Sequence, residues 1–152
     1  YYASRGLGDV YKRQSREDAI MRIIYGEIEP GIRIGKYLLG STKEEILPRL
    51  EGYKVWERGD GFSIYSFDNF KLWFGVNNEL EQIGVTKGFF GTYNSVRIGT
   101  TMLDIKKIFG RYENDGDVYI IPGIAGICFE LEDVDGWDEL TAPIEWIFVY
   151  KC

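Results

Sequence analysis

The sequence predicts an α+β fold of two tandem repeats, each a short capped helix followed by an antiparallel meander of three or four strands. Three observations predict it. Leu39-Gly40-Ser41-Thr42-Lys43-Glu44-Glu45-Ile46, continuing to Leu50 and Tyr53, recurs without a gap as Ile98-Gly99-Thr100-Thr101-Met102-Leu103-Asp104-Ile105, continuing to Phe109 and Tyr112. Such self-similarity is the signature of a duplicated unit. Each copy can open a helix with a capping box, Thr42 with Glu45 and Thr101 with Asp104. After each helix come short β-type runs punctuated by turn residues.

Residues 1–20 are set apart from the fold. Ser4 to Gln14 is the translation of a transposase-type sequencing adapter, and Arg16-Glu17-Asp18 can be encoded by a purine-rich ribosome-binding sequence placed before Met21. The expectation is an adapter-derived or untranslated leader over 1–20, a first repeat over 21–88 and a second over 89–152, forming one compact unit. Removing 1–20 takes away four basic and three acidic residues and moves the net charge from −6 to −7, so the acidity belongs to the remainder. An acidic balance disfavours nucleic acid and anionic membranes as partners and suits a basic protein. From Met21 onward there is no apolar run of signal-sequence or membrane-spanning length, which leads to the expectation of a cytoplasmic protein.

Ile28-Glu29-Pro30-Gly31-Ile32 reads as a turn leading to an extended stretch from Ile34 to Leu39. Pro48 deletes a hydrogen bond and keeps the first helix short or bent. The first meander is expected as Tyr53–Arg58, Phe62–Phe67, Phe70–Val76 and Leu80–Thr86, separated by Gly59-Asp60-Gly61, Asp68-Asn69 and Asn77-Asn78. Gly110 stops a second helix running from Met102 to Phe109. The second meander is expected as Tyr112–Asn114, Asp117–Ile121, Ile124–Leu131 and Ile144–Tyr150. Alternation suggests that aliphatics face the helices, while Trp56, Tyr65 and Trp73 stand on the other face among Lys54, Arg58 and Lys71. In the last strand, Trp146, Phe148 and Tyr150 lack polar flanks and are expected to be buried.

With Ile28-x-Pro30-Gly31-x-x-Ile34, Leu39-Gly40-x-Thr42-x-Glu44-Glu45-Ile46 and the hairpins in view, the chain resembles small bacterial proteins built on the β-lactamase-inhibitor-protein type of repeat. The same unit occurs in the small lipoprotein of the outer-membrane β-barrel assembly machinery. The resemblance implies a protein-binding role, and for cytoplasmic members that of a toxin-neutralising immunity protein. Unlike the lipoprotein, this chain shows no lipid-attachment cysteine.

The chain has no histidine, which removes the usual general base at neutral pH and the commonest metal ligand. Cys128 lies in an apolar strand with no base near it in sequence and reads as a core thiol. No glycine spacing matches a phosphate loop. The expectation is therefore a protein that is not an enzyme and has no cofactor and no metal. One acidic stretch stands out: Glu130, Glu132, Asp133, Asp135, Asp138 and Glu139 surround Gly136-Trp137 without a basic residue. In Asp133-x-Asp135-Gly136 the glycine comes too early for a helix-loop-helix calcium site. The candidate partner-binding residues are Glu132, Asp133, Asp135, Trp137, Asp138 and Glu139, with Trp56, Tyr65 and Trp73 as a second patch. The partner expected is a protein, such as a basic toxin domain. The alternatives are a small-molecule or calcium-binding module, or a structural subunit of an assembly.

Overall fold

The computed structural model describes residues 21–152 together with the backbone of Lys12–Arg13; the expectation of a non-native leader over residues 1–20 otherwise lies outside the described residues. The chain is mainly β, with 40% strand and 11% helix in two sheets and two short helices. Lys12–Arg13 forms strand β1. A small three-stranded sheet of two-residue strands follows: β2 (Ile28–Glu29), β3 (Arg33–Ile34) and β4 (Tyr37–Leu38). The expected turn and extended stretch are thus a miniature meander, closed on its solvent side by Arg33, which pairs with Glu27 and Glu29.

Helix α1 (Lys43–Ile46) is one turn long and passes into a 3-10 turn, Leu47–Arg49. Pro48 sits within that tighter turn and imposes the change, since its ring lacks the amide that would prolong an α-helix. Helix α2 (Met102–Phe109) runs the expected length and ends at Gly110, whose φ of 90° is open to glycine. Both helices start alike. The Thr42 hydroxyl accepts from the Glu45 amide at 3.3 Å and donates to its carboxylate at 3.2 Å; Thr101 does the same with Asp104 at 3.2 and 3.1 Å.

The large sheet contains β5 (Lys54–Glu57), β6 (Ser63–Ser66), β7 (Phe70–Phe74), β8 (Leu80–Val85), β9 (Glu113–Asp115), β10 (Val118–Ile121), β11 (Ile124–Leu131) and β12 (Ile144–Tyr150). Its order is β1-β5-β6-β7-β8-β12-β11-β10-β9 and the pairings are antiparallel. Two meanders meet where β8 lies beside β12, Ile83 opposite Val149 and Gly84 opposite Phe148. At one end of the sheet stands β9, only three residues long and exposed throughout.

Each helix is tied to the last strand of its own meander in the same way. Gly40 N–H donates to the Leu80 carbonyl and Leu80 N–H to Ser41, both at 2.8 Å; Gly99 donates to Ile144 at 2.9 Å and Ile144 to Thr100 at 2.8 Å. The helices and the small sheet pack on one face, over Val55, Tyr65, Leu72, Ile83, Val149 and Ile127. The second face carries Ile64, Trp73, Val118, Cys128 and Phe148, with Phe62 at its margin and Trp56, Ile120, Trp146 and Tyr150 partly buried around them.

Gly84 lets the second face close up. A Cβ built there would stand 2.9 Å from the Phe148 ring and 3.1 Å from that of Trp73. The two rings instead meet edge to face, centroids 5.7 Å apart, while Trp146 stacks on Phe148 and Lys71 lies over Trp146. Among the described residues no helix is long and apolar enough to cross a membrane. Filling the Gly84 gap forces both rings from their places, and overpacking of this kind costs about 1–3 kcal/mol. Gly84→Ala is therefore expected to lower the unfolding free energy by that amount, seen in urea as a lower midpoint at an unchanged slope; a midpoint equal to wild type would show that the rings do not depend on the gap.

Candidate functional site

The acidic segment links β11 to β12 and is anchored at its far end. Glu139 receives the Tyr112 hydroxyl at 2.5 Å and the Tyr119 hydroxyl at 3.1 Å, and the two rings meet edge-on at 5.8 Å. Asp138 makes the preceding turn: its side chain accepts from the Leu140 amide at 2.8 Å, and its carbonyl accepts from the amides of Thr141 and Ala142. The Leu103 amide at the start of α2 reaches the Leu140 carbonyl, and Glu132 N–H pairs with the Pro143 carbonyl. Asp138 and Glu139 therefore fold the segment, although Asp138 also stands in solvent.

Glu132, Asp133, Asp135, Trp137 and Asp138 are exposed, and Glu139 is half-buried. Trp137 is 47% accessible, unusual for the side chain with the most apolar surface to hide. It shares a cavity of about 360 Å³ with Asp133, and the opposite wall comes from the β9–β10 hairpin, Asn114, Gly116 and Asp117, with Tyr119 and Leu131 behind. Tyr119 has a double role, lining the cavity with its ring and holding Glu139 with its hydroxyl. Asn114, Asp117, Tyr112 and Tyr119 were not singled out by sequence. The break between the expected strands Tyr112–Asn114 and Asp117–Ile121 implies a hairpin, but nothing local tells which loop it faces.

Trp56, Tyr65 and Trp73 do not form the expected exposed set. Ile64 lies opposite both Trp56 and Trp73, so Tyr65 points the other way, opposite Val55 and Leu72, and is buried in the helix-side core against Tyr53 and Phe74. Trp73 shares the second face with Trp56 but is 1% exposed, buried by Phe148 over Gly84. Only Trp56 remains partly exposed. In the last strand Phe148 is buried as expected, whereas Trp146 and Tyr150 are only partly so.

Burial raises the Cys128 thiol far above its ordinary range, which keeps it protonated and a poor nucleophile. Among the described residues no three His, Cys, Asp or Glu side chains gather closely enough to hold a metal ion.

The hydrogen bond to Glu139, helped by burial and the carboxylate's charge, pushes the Tyr112 phenol from 10.0 up to about 12. A phenol that holds its proton more tightly when folded adds stability that is whole below the unfolded value and is lost as pH rises through the folded one. Stability is thus expected to fall between pH 10.0 and about 12, and Glu139→Gln to flatten that fall. Denaturation midpoints measured across this range decide it, and an identical slope in the variant would mean that the pair does not govern the loss.

No family model, no curated protein and no solved structure matches the chain.

Proposed function

We propose that this chain is a non-enzymatic protein-binding module of the immunity or inhibitor kind, built from two tandem helix-plus-meander repeats, that receives a basic protein through its acidic loop. The observation that carries the reading is Trp137, left nearly half exposed beside a cavity walled by Asp117 and Asp133. An indole face next to carboxylates suits an arginine or lysine side chain: the cation gains from the ring and the carboxylates at once. Exposed tryptophans of this kind become the anchors of protein interfaces. Trp56, Trp146 and Tyr150, partly exposed on the second face of the sheet, offer additional apolar contact.

The repeat reading is supported by the matched helix caps and by the matched hydrogen bonds of Gly40–Leu80 and Gly99–Ile144. Anchoring of the loop by the two tyrosines lowers the ordering cost of binding, since part of the loop is already fixed.

The test compares the immobilised chain with a triple variant, Asp117→Asn, Asp133→Asn and Trp137→Ala, first matched for thermal midpoint. The expected result is a basic protein retained from bacterial lysate by the wild type, whose affinity, measured by titration, falls at least about 30-fold in the variant, the scale of a strong interface anchor. Binding should also weaken near 1 M salt, where the screening length is only about 3 Å. Equal affinity of the two proteins for that partner, or a partner indifferent to salt, would overturn the reading.

A further inference from the structure

The large sheet stops at β9 with an open edge. In its order β9 stands last, paired with β10 alone among the described strands, and its residues are exposed throughout. The hairpin turns through Gly116 and Asp117, between the paired residues Asp115 and Val118. A two-residue turn closes on a pair that exchanges both of its hydrogen bonds, and such pairs alternate along the ladder with pairs that exchange none. Asn114, the next residue in and opposite Tyr119, therefore turns its amide and carbonyl away from β10, where one more strand would take them.

The same alternation sorts the side chains along this edge. Asn114 shares the helix side of the sheet with Tyr119, and the two line the cavity beside Trp137. Glu113 shares the other side with its partner Ile120. A strand laid antiparallel against β9 sets one residue opposite Asn114 and the next opposite Glu113, their side chains on opposite faces. The first stands on the side of the cavity, walled by Trp137 and the exposed Asp117, and only a long side chain reaches past Asn114 into it. The second stands directly across from the Glu113 carboxylate, a position that favours a cation and rejects an anion. From Tyr112 to Tyr150 the sequence has no lysine or arginine, so the second meander presents one sign of charge to whatever approaches this edge.

We propose, building on Trp137 as the anchor for a basic protein, that the partner enters as an extended segment added to β9 and carrying two adjacent basic residues. The first passes over Asn114 to the Trp137 ring and Asp117; the second faces Glu113. Main-chain hydrogen bonds to Asn114 hold the segment, while the alternate side chains select it, the usual division of labour when a strand joins a sheet edge. The cavity beside Trp137 and the open edge thus become two parts of one surface, the indole taking a cation that the ladder has already placed.

The probe is the peptide acetyl-Thr-Val-Arg-Arg-Val-Thr-amide, titrated into the full chain while backbone amide resonances and hydrogen exchange are followed. It is expected to move the Glu113 and Asn114 signals saturably and to slow exchange of the Asn114 amide. N-methylation of the first arginine, whose amide faces β9, should weaken binding about ten-fold, the scale of one hydrogen bond. N-methylation of the second, whose amide faces away, should leave affinity unchanged, and replacing both arginines by glutamine should remove saturable binding. Trp137→Ala is expected to weaken the parent peptide by about ten-fold as well. Equal affinities for the two methylated peptides would overturn the strand addition; if Trp137→Ala still weakened the parent peptide, the acidic loop would remain a site for basic side chains without it. A parent peptide that gives no saturable shift would also overturn the strand addition, and the capture of a basic protein by the wild type against the triple variant would then decide the broader reading by itself.

Discussion

The antiparallel pairing of β8 with β12 is the constraint on which the molecule depends. Each meander alone is a four-stranded sheet with an unpaired last strand. Side by side, Ile83 with Val149 and Gly84 with Phe148, they become one continuous surface with a shared core on the helix side. The helices are fastened to the outer ends of the same two strands, through Leu80 and Ile144. Strand pairing and helix placement are thus set together: a slip of one residue at this junction would turn Ile83 and Val149 out of the core and Gly84 and Phe148 into it.

The junction also accounts for a sheet whose second face is as aromatic as its first. A strand with side chains at every position would hold the rings of Trp73 and Phe148 apart. At Gly84 the missing side chain lets them cross, and Trp146 and Lys71 complete the layer. The free-energy gain is that of burying large apolar rings, roughly 1.5–3 kcal/mol each, set against the weaker strand propensity of glycine. On the proposed reading, function gathers where side chains are not absorbed by that layer, at the cavity beside Trp137.

Much of the fold was legible in the sequence because its signals are local. The caps at Thr42 and Thr101, the stop at Gly110, the shortening at Pro48 and the strands Ile124–Leu131 and Ile144–Tyr150 depend on neighbours within a few residues. What was misread depends on distance. The strands of the small sheet are two residues long, too short for alternation to register. Alternation within one strand does not fix the face of Tyr65, because the face follows from pairing, and the turn through Gly59 and Gly61 sets Ile64, not Tyr65, opposite Trp56. In the candidate site, Trp137 and the acidic stretch were visible as an anomaly of composition, whereas Asn114, Asp117 and the tyrosine pair holding Glu139 come from another hairpin brought near by the fold.

The three-residue strand β9 bears on how this chain behaves when concentrated. An outermost strand offers bare amides and carbonyls to any neighbour able to extend the ladder, the first step towards fibrils. Here that rim is brief and carries Glu113 and Asp115 into solvent, so a second copy approaching it meets like charge before it finds a hydrogen bond. Like charge at that rim therefore disfavours the pairing of β9 in one copy with β9 in another.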